Sequence, residues 1–329
     1  MDVARAAGVS VATVSRVMNG ATTVAPELRD RVVLASRDLG YRPNPHARAL
    51  HTGRSHAVGV AATYVGGFFA DLFDGLESGL AGAGYRLLVA GGNGRRTDEK
   101  TTLFDLLNRH VDGLVVFLEA VGDADLTEVL AHGTPTLVLG RVVPGIEERC
   151  LAWDQRLGGA MATRHLIAMG HRRIGHVAGP SSNLHARERR EGYVQAMAEA
   201  GLPVEPGWIV VGDFQESGGR DAMGTLLDQN QVSAVFVAND QMALGGLSAL
   251  WERGLHCPED LSVIGFDDQR MSSFTTPPLT TIRQPLEELG RLAADRLLRD
   301  IRGEQGAGRP DLPALALVQR ASVQRREVP

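Results

Sequence analysis

Three short apolar runs in this chain lead straight into polar residues. Thr136-Leu-Val-Leu139 is followed by Arg141, Phe236-Val-Ala238 by Asn239-Asp240, and Val263-Ile-Gly-Phe266 by Asp267-Asp268. Such side chains donate and accept hydrogen bonds in pairs, and a polyhydroxylated ring presents the complementary set. Phe68, Phe69 and Phe214 add flat apolar faces against which the C–H edge of such a ring can lie. The chemistry they point to is reversible capture of a small sugar. Taken singly, an Asp directly after a strand is more often a helix cap than a ligand, and Asp240 and Asp268 are read as caps. Arg187 and Arg190 are read as surface or ion-pair residues. Machinery for catalysis is missing from the pattern: there is no Gly-x-x-x-x-Gly-Lys, no Gly-x-Gly-x-x-Gly opening a helix, no Gly-x-Ser-x-Gly elbow and no His-Glu-x-x-His. His165, His171, His176 and His185 share no metal spacing, so neither metal nor cofactor is expected. Cys150 and Cys257 fit no zinc or redox spacing and read as reduced structural thiols.

The elements that must position these residues alternate along the chain. Apolar runs beginning at Val58, Arg86, Gly113, Thr136, Ile174, Ile209, Ala234 and Ser262 are separated by helical stretches such as 71–83, 100–109, 158–169, 187–200, 221–228, 242–253 and 286–301. Alternation of this kind makes parallel sheets covered on both faces. The series is too long for one ordinary sheet, so the expected body is α/β with two doubly wound lobes. In such sheets ligands bind beyond the carboxyl ends of the strands, where the polar residues above stand.

The first fifty residues read differently. Asp2 to Asn19 predicts two short helices joined at Gly8, with Ser10 as N-cap of the second. In that second helix Val14, Val17 and Met18 fall on one face, and Val11, Ala12, Ser15, Arg16 and Asn19 on the other. A third helix starts near Pro26, with Val32, Val33, Ala35, Ser36 and Leu39 expected to face inward before Gly40. Residues 1–54 carry eight arginines against Asp2, Glu27, Asp30 and Asp38, a formal +4, which leaves −9 for the remainder of a chain whose total is −5. The basic end suits a phosphate backbone and the acidic body does not. No leader of charged, apolar and small residues precedes the first helix, and no apolar run approaches membrane length. A cytoplasmic protein with no membrane partner is the expectation.

The stretch Asp2-Val-Ala-Arg-Ala-Ala-Gly-Val-Ser-Val-Ala-Thr-Val-Ser-Arg-Val-Met-Asn19, with Gly40-Tyr-Arg-Pro-Asn-Pro-His-Ala-Arg-Ala-Leu50, resembles the lactose/galactose repressor family of transcription regulators. So do Arg187-Glu-Arg189-Arg-Glu-Gly192-Tyr, Ala238-Asn239-Asp-Gln-Met-Ala-Leu-Gly, Gly265-Phe-Asp267-Asp and Pro278-Leu-Thr-Thr-Ile-Arg-Gln284. The segments 139–150 and 162–166 look nearest the galactose branch. The resemblance implies a three-helix helix-turn-helix DNA-binding domain over 1–42, a hinge over 43–55, and a periplasmic-binding-protein-like body over 56–329. One lobe would take about 56–154 and 285–312, the other about 155–284 and 313–329. Ser10, Val11, Ala12, Thr13, Ser15, Arg16 and Asn19 would meet DNA in the major groove, and Leu50 would wedge into the minor groove. Phe68, Phe69, Arg141, Arg189, Phe214, Asn239, Asp267 and Gln284 would hold the effector. The implied partners are a palindromic double-stranded operator, a sugar effector and a second copy of the chain, with no heptad tail for a tetramer. Release by the sugar is the expected sign, co-repression the alternative within the family, and a sugar-transport protein the alternative outside it. Gly140 stands where many members have Asp or Asn, and Trp153 where a smaller residue is usual.

Overall fold

The computed structural model describes residues 2–18, 23–41, 53–63, 66–229, 231–304 and 310–326, which form two compact units. The first unit holds three helices: α1 (Asp2–Ala7), α2 (Val11–Met18) and α3 (Pro26–Asp38). They share one small core of Val3, Ala4, Ala7, Val14, Val17, Val24, Val32 and Ala35. Gly8 sits at φ 63°, in the left-handed region that a turn between α1 and α2 demands and that glycine adopts without a Cβ clash. Two residues of α3 depart from the sequence reading. Val33 and Leu39 are 53% and 51% exposed. One residue on a helix is a rotation of about 100°, so once Val32, Ala35 and Ser36 fill the interior Val33 is carried to the outside, and Leu39 lies just past the last turn.

The second unit is built on two sheets. The first runs β2-β1-β3-β4-β5, from β1 (Ala57–Ala62), β2 (Arg86–Gly91), β3 (Gly113–Phe117), β4 (Thr136–Leu139) and β5 (Cys150–Leu151), with every pair parallel. The second runs β11-β10-β9-β8-β6-β7, from β6 (Ile174–Ala178), β7 (Ile209–Val211), β8 (Ala234–Val237), β9 (Ser262–Asp267), β10 (Thr280–Arg283) and β11 (Ala316–Val318). Its pairs are parallel except β10 with β11, which is antiparallel. Strands β3, β4, β6, β8 and β9 are buried along their whole length, as a sheet covered on both faces requires.

Helices α4 (Ala70–Ala81) and α11 (Leu286–Arg302) cover one face of the first sheet, where Leu72, Leu76 and Leu80 meet Leu289, Ala293 and Leu297, and α5 (Arg96–Asn108) and α6 (Asp123–Ala131) cover the other. On the second sheet α7 (Gln155–Ala168) pairs with α8 (Leu184–Glu199), and α9 (Glu216–Gln229) with α10 (Asp240–Glu252). All three helix pairs touch through glycine. A Cβ at Gly75 would lie 2.0 Å from the Glu287 carbonyl, one at Gly192 2.0 Å from that of Arg156, and one at Gly245 1.8 Å from that of Glu216. The chain passes from one sheet to the other after Leu151, after Arg283, and between Arg302 and Ala316. Those three crossovers bring residues far apart in sequence to one place.

Candidate ligand cleft and nucleic-acid interface

At the carboxyl end of β9 the backbone places Asp267 at φ 112°, a conformation that side-chain-bearing residues adopt only when their surroundings hold them there. Its Oδ1 accepts from Gln284 Nε2 at 2.7 Å and lies 3.5 Å from Arg189 Nη2. Arg189, on α8, is only 3% exposed. Its Nε donates to Gln155 Oε1 at 2.9 Å, its Nη1 donates to the Ala238 carbonyl at 2.6 Å, and its plane lies 3.8 Å above the Phe266 ring. Gln155 in turn donates to Gln284 Oε1 at 2.8 Å. The four side chains therefore close a ring around the strand end. Burial pushes the Asp267 carboxyl up to about 6, although Arg189 and Gln284 pull it back. Burial also pushes neighbouring Asp240 up to about 7, aided by the charge of Asp267.

Asp240 and Asp268 are not the helix caps that their position after a strand suggests. Asn239 stands one residue earlier and takes the cap of α10, accepting from Met242 N at 2.9 Å while its Nδ2 donates to the Phe214 carbonyl at 3.1 Å. Asp240 is thus free to accept from Thr281 Oγ1 and Ser272 Oγ, both at 2.6 Å, and from Gln269 N at 2.9 Å. Asp268 pairs with Arg283 at 2.7 Å and Arg320 at 2.6 Å. Phe214 sits at φ 69° with its ring against the face of Gly179, where a Cβ would come within 2.4 Å.

The remaining aromatic and basic candidates belong to the first sheet. Phe69 is buried among Phe68, Phe73 and Phe117, with centroids 4.9, 6.0 and 5.0 Å away, and Phe68 is the more open of the pair. Arg141 donates to the Val121 carbonyl at 2.7 Å and lies 3.4 Å from Asp123, and among the described residues its buried Nε has no hydrogen-bond partner. The structure thus gathers Arg189, Asp267 and Gln284 in one ring, sets Asn239 and Phe214 on each other beside it, and puts Arg141, Phe68 and Phe69 across the cleft.

Four residues join the site that sequence reading did not select. Gln155 links Arg189 to Gln284. Asn183 Nδ2 donates to Glu119 Oε2, and His185 Nε2 lies 2.7 Å from the Gly140 carbonyl, so that nitrogen carries the proton and donates. Both contacts bridge the two sheets. Burial holds His185 down to about 4, which keeps its ring neutral. Desolvation raises the Glu119 pKa, opposed by the Asn183 hydrogen bond. Beneath Glu119, the buried Glu99 accepts from Ala120 N at 2.7 Å and Val121 N at 2.8 Å and so fixes the loop. Between these groups lies a cavity of about 30 Å³, roughly one water's share of liquid volume. Glu119 follows β3 as Arg141 follows β4, so the strand-end rule could have found it. Gln155 carries no such signal. Gly140 has a physical reason: φ is 85°, and a Cβ would lie 2.9 Å from the Phe117 ring. Trp153 donates from Nε1 to the Pro313 carbonyl at 2.7 Å and so ties the first crossover to the third.

In the first unit, Ser10 Oγ accepts from Thr13 N at 3.1 Å and contacts Thr13 Oγ1 at 2.9 Å, which fixes the start of α2. Val14 and Val17 are buried, whereas Val11, Ala12, Ser15 and Arg16 are exposed and Thr13 is half-buried. Asn19 and Leu50 lie outside the described residues.

Residues 1–44 match the bacterial regulatory proteins of the lacI family, and residues 163–323 match the periplasmic binding protein-like domain. The transcriptional regulator GalS of Salmonella typhimurium is 38% identical over 99% of this chain and 96% of its own length. This chain belongs to the lacI family. The ribose operon repressor of Escherichia coli is 39% identical over 91% of the chain and 92% of its own length. Among solved structures, the lac repressor dimer bound to operator and the anti-inducer ONPF superposes with a TM-score of 0.85 at 33% identity, covering 98% of both chains. The regulator CelR in complex with cellobiose superposes with a TM-score of 0.73, also at 33% identity and 98% of both chains. Among the described residues no helix is long and apolar enough to cross a membrane.

Proposed function

We propose that this lacI-family chain is a homodimeric, sequence-specific repressor that a small sugar releases from a palindromic operator. The observation that carries the reading is the pairing, in one chain, of a capped short helix with an exposed polar and basic face and a two-sheet body whose cleft closes on Arg189, Asp267 and Gln284. Val11 and Ala12 are exposed at the start of the helix, the end by which a reading helix meets base edges. Val11 and Ala12 would lie against base edges and thymine methyls, and Arg16 would pair with guanine. Ser10, Thr13, Ser15, Asn19 and Leu50 are assigned to DNA on the family resemblance.

In the cleft, Asp267 would accept hydroxyl protons and Arg189 and Gln284 would donate to ring and hydroxyl oxygens. Phe68, Phe69 and Phe214 would supply the apolar side, and Asn239 would position Phe214 through the Phe214 carbonyl. Arg141 would offer its unpartnered Nε. The cavity of about 30 Å³ beside Arg141 is too small for a monosaccharide, so a sugar that reaches Arg141 there would part the walls that meet at Glu119–Asn183 and Gly140–His185. A ligand acts only through its different affinity for the two shapes, with coupling of about 1–3 kcal/mol. The resemblance of segments 139–150 and 162–166 to the galactose branch, and a relative that is the ribose operon repressor, make galactose and ribose the first sugars to try. Titration calorimetry of wild type and Asp267→Ala with both sugars is the test. One sugar should bind wild type and lose affinity at least about tenfold in the variant, about 1.4 kcal/mol or more. Equal affinity for the two proteins would remove Asp267 from the site.

A further inference from the structure

The ring Arg189–Gln155–Gln284–Asp267 is closed, buried and spread over three places in the fold. Arg189 and Asp267 face the cleft of the second sheet. Gln155 stands at the first crossover, and Gln284 at the second. Its links measure 2.9 Å from Arg189 Nε to Gln155 Oε1, 2.8 Å from Gln155 Nε2 to Gln284 Oε1, 2.7 Å from Gln284 Nε2 to Asp267 Oδ1, and 3.5 Å from Asp267 Oδ1 back to Arg189. Gln155 is 1% exposed and Gln284 6%, so neither amide can exchange its partner for water. Each amide uses one donor and one acceptor in the ring, and the direction of donation is the same at both. The orientation of one therefore dictates that of the other.

We infer that Gln155 is a positioning residue through which occupancy of Arg189 and Asp267 reaches the crossovers. The inference rests on the reading of Arg189 and Asp267 as effector groups and deepens it by naming the path of regulation. When a hydroxyl proton is offered to Asp267 Oδ1, it competes with Gln284 Nε2 for that oxygen. A donor lost there frees the Gln284 amide to turn, and Gln155 must either follow or leave a buried amide unpaired. An unpaired buried amide is costly, so the two crossovers respond together. The backbone is in register with this: Gln284 N donates to the Asp267 carbonyl at 3.3 Å, and Leu286 N to the Gln284 carbonyl at 2.8 Å. A change at the amide is thus felt at the first turn of α11, the helix that belongs to the other sheet.

The test compares full-length wild type with Gln155→Leu, which keeps the volume and deletes both links, and with Gln155→Glu, which can still accept from Arg189 but has no donor for Gln284. Hydrogen exchange is followed without ligand, and operator affinity is measured with and without saturating galactose or ribose. In both variants exchange should quicken several-fold across 284–288, a segment more than a hundred residues away in sequence, as well as around 155. With sugar at a concentration that calorimetry shows to saturate each variant, the effect of sugar on operator affinity, of order 5- to 150-fold in wild type, should fall toward unity. Faster exchange confined to 153–160, or release by sugar as strong as in wild type, would overturn the inference. Should Gln155→Leu fail to fold, Gln155→Glu carries both measurements. A wild-type operator affinity that neither sugar moves would count against the sugar reading itself, and the exchange arm would still decide the role of Gln155.

Discussion

At the scale of single residues, the body mixes ionisable groups whose environments pull stability in opposite directions over one pH window. Asp240 and Asp267 have folded values of about 7 and about 6, above the unfolded carboxylate value near 3.9. Their contribution is fully present below about pH 4 and is lost as pH rises through those folded values. His176 behaves in the opposite sense. It is wholly buried between Tyr193 and Phe236, donates from Nδ1 to the Phe236 carbonyl at 2.9 Å, and is held down to about 4 by desolvation. Its contribution is present above about 6.5 and is lost as pH falls toward 4. The two trends oppose each other, so the wild-type profile hides both. In Asp240→Asn the loss on raising pH from 5 to 8 should shrink, which melting temperatures of the two proteins across that range will check. A variant profile parallel to wild type would mean that Asp240 titrates as an ordinary carboxylate. On the DNA side, Arg16→Ala should cost about 1–3 kcal/mol and relax preference at one base pair of each half-site. Competition binding against single-base operator variants reads this. A loss equal on every sequence would make Arg16 a phosphate contact instead.

Elements are where the sequence was most and least legible. All eight apolar runs became strands, six of them buried inside the parallel sheets and two, Arg86–Gly91 and Ile209–Val211, at the sheet edges and less buried. Cys150–Leu151 and Thr280–Arg283 escaped notice because one is two residues long and the other opens on two threonines, so neither has an apolar run to read. The site was legible where a polar residue directly follows a strand, as at Asp267. It was hidden at Gln155, whose role exists only because the crossovers bring it to Gln284, 129 residues away. Val33 shows the limit of hydrophobicity as a guide to a helix face, since an exposed valine and a buried one differ only by angle. Helix contacts through glycine give a sharp prediction. Gly192→Ala places a methyl against the Arg156 carbonyl in the α7–α8 contact and should destabilise the fold by about 1–3 kcal/mol, measured by urea unfolding. An unchanged midpoint would mean that the helices can separate at no cost.

For the whole molecule, two copies of a small head give affinity and palindromic preference that one cannot. The second sheet carries large apolar side chains on its outside: Trp251 is 81% exposed and Phe274 78%. A second copy docking on this face would take both side chains out of water. Phe274→Glu should raise the dimer dissociation constant at least about tenfold in sedimentation equilibrium. Unaltered self-association would place the interface elsewhere. On the proposed function, this chain grips a palindromic duplex and lets go when a sugar occupies the cleft. Selection of binding sequences from a random duplex pool by the full-length protein, followed by affinity measurement on the winner with and without galactose or ribose, tests it most directly. The expected outcome is a two-fold symmetric consensus bound far more tightly than random duplex and weakened by one of the sugars. A pool that yields no consensus at moderate ionic strength would contradict it.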